Sequence, residues 1–193
     1  MNTKSPLRKQ KNRAFRAVSA IKEKFPEGSI INCYPFYDGN IELDLARADR
    51  YIVAQTGKYC IYEFWRCLMV DATRIAEYAS GIFPFDDPQM YNIYQDNLEK
   101  YRDPFIRASL FFVLNQVSDS GMVSNGKMDK EELNLINLSN LKRFSAENFH
   151  INFNKEDSYE SFFESVPAGQ KIMMTCGRYS ENLLAAGQPL GPE

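Results

Sequence analysis

The sequence has one histidine, His150, four cysteines with no CxxC pair, and no apolar run near the length of a membrane span. Each scarcity removes a class of function. A zinc site here would need thiolates gathered from three distant segments, and a Cys/His nucleophile pair has only His150 to use. No metal site and no hydrolase of familiar design is therefore expected. Cys33, Cys60, Cys67 and Cys176 stand in apolar or aromatic stretches (IINCYPF, KYCIYEFWRCLMV, KIMMTCG), the setting of buried free thiols in a reducing compartment. A membrane helix needs about 20 apolar residues, so no membrane partner is expected. Charge of one sign is also missing. Lys+Arg 23 against Asp+Glu 25 leaves a net charge of −2 and a pI near 5.6, which excludes an affinity built on global basicity. The opening MNTKSPLRKQKNRAFRA has no apolar core of a secretory signal, which points to a cytoplasmic protein.

What is present suits one domain over residues 1–193. The chain is 44% hydrophobic and 25% charged, and at this length folding buries roughly 70% of the unfolded surface. Residues 1–24 form a basic region: Lys4, Arg8, Lys9, Lys11, Arg13 and Arg16 carry no acid among them, and a helix is expected from about Gln10 to Lys24. This cluster is either a solvated helix face or a contact for nucleic acid or an acidic protein surface. SIINCYPF reads as a buried strand ended by the turn residues YDGN, and RYIVAQT as a second strand stopped at Gly57. Tyr59 to Ser80 has the spacing of a long amphipathic helix. FPFDDPQMYNIYQDN reads as a connector, with Tyr91 and Tyr94 either core or an exposed partner surface. DPFIRASLFFVLNQV is a buried central helix with Asp103 as cap and Pro104 at its first position. After the loop SDSGMVSNGKMDKEE come a short helix, the strand ENFHINF with His150 as a strand side chain, a capped acidic helix and the strand KIMMTCG. Strands alternating with helices predict an α/β fold with a mostly parallel sheet of about four strands.

Several strings in this order resemble the Dam-like family of adenine-specific DNA methyltransferases. Family chains begin with a basic Gly-Gly-Lys segment after Pro-Leu, here SPLRKQKNRAF. Their first strand ends in Glu-Pro-Phe-x-Gly-x-Gly, here Tyr34-Pro35-Phe36-Tyr37-Asp38-Gly39-Asn40. The next reads Arg-Tyr-Ile-Leu-Ala-Asp-x-Asn, here Arg50-Tyr51-Ile52-Val53-Ala54-Gln55-Thr56-Gly57. A central helix ends in Leu-Asn-Arg-x-Ser-Phe-Ser-Gly-Met, here Leu114-Asn115-Gln116-Val117-Ser118-Asp119-Ser120-Gly121-Met122. The catalytic Asp-Pro-Pro-Tyr falls on Cys176-Gly177-Arg178-Tyr179. The resemblance implies a Rossmann-like sheet, an S-adenosylmethionine pocket at Phe36, Asp38, Gly39, Asn40 and Gln55, and adenine in DNA as substrate.

The departures fall at the working positions. Glycines let a backbone approach the cofactor closely, and only Gly39 remains of the three. Asp38 puts a carboxylate where the family leaves room, and Gln55 replaces the acid that holds the ribose hydroxyls, losing the charge that strengthens such a bond. Of the catalytic tetrad, whose polar head accepts from the adenine amino group while its aromatic stacks on a flipped base, only Tyr179 is kept. The DNA-reading insert is shortened to residues 115–141, where Lys127 and Lys130 are offset by Asp129, Glu131 and Glu132. Family chains continue past the tetrad with further strands, so a truncated sheet is expected here, with an apolar edge at Lys171–Cys176 that invites a partner or a second copy.

Set against the resemblance, these losses imply a catalytically inactive methyltransferase-like protein with a binding, structural or regulatory role, of the kind small Dam-like phage genes could encode. No cofactor is expected, and DNA contact would rest on Lys4, Arg8, Lys9, Lys11 and Arg13. The alternatives are an active S-adenosylmethionine-dependent enzyme with atypical motifs, and an unrelated α/β binding domain.

Overall fold

Four short runs rich in apolar residues form the sheet: β1 (Ile30–Tyr34), β2 (Tyr51–Thr56), β3 (Phe149–Phe153) and β4 (Lys171–Met174). In the computed structural model, which describes residues 4–7, 21–82, 84–119, 121–124, 126–129 and 134–174, they lie in the order β3-β2-β1-β4. All three pairings are parallel, with Ile31 opposite Ile52, Ala54 opposite Ile151 and Cys33 opposite Met173. This order is that of the first four strands of a doubly wound Rossmann sheet. The expected α/β architecture with a four-stranded parallel sheet is what forms.

Six helices connect the strands among the described residues: α1 (Asn40–Ala46), α2 (Tyr59–Ile82), α3 (Pro88–Asn97), α4 (Pro104–Val117), α5 (Leu135–Lys142) and α6 (Tyr159–Ser165). Residues 21–24 are also helical. The chain steps outward from β1 to β2 to β3 and then returns to β4. Right-handed crossovers therefore place α1 to α5 on one face of the sheet and α6 on the other. Strand alternation agrees. Ile31, Cys33, Ile52, Ala54, Phe149, Ile151 and Met173 enter the main core, while Tyr34 turns to the opposite face and stacks on Phe162 of α6, with ring centroids 5.2 Å apart. The two faces are unequally covered. α4, buried from Ala108 to Val117, packs lengthwise against α2 beneath the first face.

Three elements differ from the sequence reading. The turn YDGN leads directly into α1, a helix too short to give a period, which buries Leu43, Leu45 and Ala46. The connector Phe83–Asn97 contains α3, because Asp87 caps Gln89 N–H at 2.8 Å and Pro88 takes the first helical position. This is the same Asp-Pro start that was recognised at Asp103, where the cap to Phe105 N–H is 2.7 Å. Tyr91 is buried, so it is core and not an exposed partner surface. The helix expected over Tyr59–Ser80 runs as α2 to Ile82 but is broken at Asp71 (φ −157, ψ 84). There the Asp71 carboxylate accepts the Arg74 N–H at 3.0 Å and starts a second helical run.

The basic region is tied down at its two described ends. Leu7 is in the core. Buried Arg50 donates to the carbonyls of Phe25 (2.8 Å), Lys22 (3.1 Å) and Ala48, and so fixes the end of the helical residues 21–24. An Asp87→Ala variant loses only the α3 cap, because Asp87 is exposed. It is expected to lose about 1 kcal/mol of stability with its fold intact, read as a lower midpoint in urea at unchanged slope.

Candidate functional site

In an open doubly wound sheet, ligands bind outside the carboxyl ends of the strands, where the strand order reverses. Here that point lies between β1 and β4. Its described walls are residues 35–40 after β1, 57–58 after β2 and 154–157 after β3. Tyr34 pairs with Met174, so the chain leaves β4 beside the end of β1. The tetrad Cys176, Gly177, Arg178 and Tyr179 lies outside the described residues, as do Arg8, Lys9, Lys11 and Arg13. Of the basic cluster's candidates for partner contact, Lys4 alone is described, and it is exposed.

Three strings that are far apart in the chain converge at this end of the sheet. The Ser5 hydroxyl donates to the Asp38 carbonyl at 2.5 Å. The Gln116 side-chain amide donates to the Pro6 carbonyl at 3.1 Å and to Asn115 Oδ1 at 3.0 Å, while Asn115 donates to the Gly121 carbonyl at 2.7 Å. Residues 5–7, 36–40 and 115–121 thus form one neighbourhood.

Within it, the candidate pocket residues are engaged with the chain itself. The Asp38 carboxylate accepts the Asn40 backbone N–H at 3.0 Å and the Asn40 side-chain amide at 2.6 Å. Asp38 therefore closes the turn and starts α1. Gly39 holds a left-handed backbone (φ +66), and a Cβ there would stand 2.8 Å from the Trp65 ring. Trp65 is fully buried, donates its indole N–H to the Tyr37 carbonyl at 3.0 Å, and meets fully buried Phe36 edge to face at 5.2 Å. Gln55 is buried and donates to the Ser165 hydroxyl at 2.8 Å. This bond ties the end of β2 to α6.

Sequence reasoning missed the residues that close the opposite wall. The Asp157 carboxylate accepts from the Tyr34 hydroxyl at 2.9 Å and from Lys58 Nζ at 2.8 Å. It also lies against Gly57, where a Cβ would come within 1.9 Å of it. Gly57 was legible only as a strand stop, although its lack of a side chain is what admits Asp157. Between β2 and β3, Phe153 packs edge to face on Tyr59 at 5.5 Å and tilted on Tyr62 at 5.6 Å. His150 is an exposed strand side chain whose Nε2 lies 2.9 Å from Asn152 Oδ1.

The insert folds back on the body. Ser118 and Met128 form an antiparallel bridge, the Tyr91 hydroxyl donates to the Gly126 carbonyl at 3.0 Å, and Gln95 donates to the Val123 carbonyl at 2.7 Å. Among the described residues no group of three or more His, Cys, Asp or Glu could hold a metal ion.

The described cysteines are free. Burial pushes the Cys67 thiol up to about 11 and the Cys60 thiol up to about 12, and raises Cys33 well above its ordinary value, with nearby Glu42 adding to the rise. Burial, then the bond to Asp157, raises Tyr34 as well. Such thiols are inert as nucleophiles near neutrality. In the folded state they hold protons that the unfolded chain releases above the ordinary value of 9.0. Their stabilisation is therefore complete below pH 9 and is lost as pH rises through about 11 to 12. Urea midpoints measured from pH 8 upward are expected to fall beyond pH 9, and replacing Cys67 with Ala should flatten part of that decline.

No family model matches the chain, and no curated protein matches it.

Proposed function

We propose that this protein is a pseudo-methyltransferase: a Dam-like scaffold that no longer transfers methyl groups and acts as a binding, structural or regulatory subunit. The observation that carries this reading is the closed turn after β1. Asp38 satisfies Asn40, and Gly39 rests against Trp65, so the loop turns inward the groups that a cofactor-binding loop would present. Gln55, bonded to Ser165, repeats the pattern on β2. S-adenosylmethionine would meet an Asp38 carboxylate that already closes the turn and a Gln55 amide that already bonds α6.

The scaffold half of the reading is supported by the strand order and by the convergence of residues 5–7, 36–40 and 115–121. The binding half is supported by β4, the end strand of the described sheet, where Ile172 and Met174 are 37% and 41% exposed. A protein partner or a second copy adding a strand along Lys171–Cys176 would cover that edge, using main-chain bonds for affinity. Contact with DNA through Lys4, Arg8, Lys9, Lys11 and Arg13 is the weaker component of the same proposal. A phage-encoded chain working in the host cytoplasm is the setting it fits. No helix among the described residues is long and apolar enough to cross a membrane.

Calorimetry of the purified chain with S-adenosylmethionine, with the mass in solution recorded alongside, tests the reading. No heat of binding and a mass above the monomer, or a partner recovered by pull-down, is the expected result. In the same preparation Tyr179→Ala should alter stability or assembly without touching any methylation rate. Micromolar binding, with a methylation activity that Tyr179→Ala abolishes, would overturn the proposal in favour of an active enzyme with atypical motifs.

A further inference from the structure

A cavity of about 340 Å³ opens between α2, α4 and the short turn at Leu98–Lys100. Its volume lies in the range of pockets that hold small molecules. Ala108 and Phe111, both buried, line it from α4, with Leu98 from the short turn. They give it an apolar wall. Its polar wall is built around Glu63, whose side chain is 9% exposed. Arg107 forks onto that carboxylate, its Nε donating at 2.6 Å to one oxygen and its Nη2 to the other. Arg107 Nη1 is taken by the carbonyls of Tyr101 and Arg102. Tyr59 lines the same wall beside Glu63.

Counting charges and acceptors around this space gives the chemistry of its occupant. A carboxylate offers about four acceptor positions, and Arg107 takes two of those of Glu63. Arg107 is neutralised by Glu63 and has most of its donors spent. Glu99, on the same lining, is paired with no cation among the described residues. Two acids and one base around an apolar wall leave a surplus of negative charge and of acceptors. Cys60, which also lines the space, stays a neutral thiol. An anion would meet Glu99 and a spent arginine, whereas an ammonium head would meet Glu99 and the remaining lone pairs of Glu63, with its carbon body against Phe111 and Ala108.

We propose that this cavity is a binding site for a small organic amine, an ammonium head carried on a compact apolar group. The site is separate from the closed turn after β1 and does not depend on the pseudo-methyltransferase reading. The test is calorimetry of the full chain with phenethylamine at fixed ionic strength, with 3-phenylpropionate and 2-phenylethanol as like-sized controls. The amine is expected to bind at least about tenfold tighter than either control. Glu99→Gln, at an exposed position, should keep the fold and weaken the amine by about tenfold, and Ala108→Met should fill the cavity and remove binding, with circular dichroism confirming that the variant is folded. The proposal is overturned if the amine gives no saturable binding, if either control binds as tightly, or if Glu99→Gln leaves the affinity unchanged.

Discussion

The sole tryptophan holds the joint on which the described structure depends. Trp65 sits in the first half of α2 and is fully buried. Its ring meets Phe36 from the turn after β1, Phe64 from its own helix, Phe144 beyond α5 and Phe149 at the start of β3. Its one polar group is satisfied by the Tyr37 carbonyl. A buried aromatic of this size contributes through area and through edge-to-face geometry together. It links the sheet, the long helix and the turn after β1, and it brings that turn in so closely that only glycine fits at position 39. The remaining glycine of the turn is thus fully explained by packing.

The carboxyl ends of the strands follow the same logic with polar groups. In a cofactor-binding fold this edge keeps donors and acceptors unspent until the ligand arrives. Here Asp38 is used by Asn40, Gln55 by Ser165, and Asp157 by Tyr34 and Lys58. These part-buried and exposed bonds tie the strand ends to the chain itself. The cavity between α2 and α4 stands in contrast: its charge count is unbalanced although its buried ion pair is complete. That cavity is a feature separate from the closed turn after β1.

Much of this was legible in the sequence because the signals were local. Short apolar runs bounded by turn residues mark the four strands, and Asp103-Pro104 marks the start of the central helix by a cap whose mechanism needs only neighbouring residues. The same signal stands at Asp87-Pro88, but the surrounding proline and aromatic content has the look of a connector and masks α3. α1 has seven residues, too few for a helical period to emerge. The break at Asp71 was hidden because an apolar stripe continues across it. At the site, departures from the resemblance could be named from the sequence, but their partners could not. That Gln55 meets Ser165 and that Asp157 fills the space beside Gly57 depend on α6 crossing the far face of the sheet, a contact about 100 residues away in the chain. The Glu63–Arg107 pair, likewise, joins two helices that no spacing rule connects.

Because Trp65 is the only tryptophan and touches both Gly39 and Phe36, its fluorescence reports directly on the turn that a cofactor would have to enter. Titrating the intact chain with S-adenosylmethionine while recording that emission tests the central claim at the residue that carries it. A spectrum unchanged in position and intensity, after correction for absorbance, is the result expected of a turn closed on the chain itself. A saturable shift or quench that is lost in a Gly39→Ala variant still folded by circular dichroism would show S-adenosylmethionine entering beside Trp65, and would contradict the account.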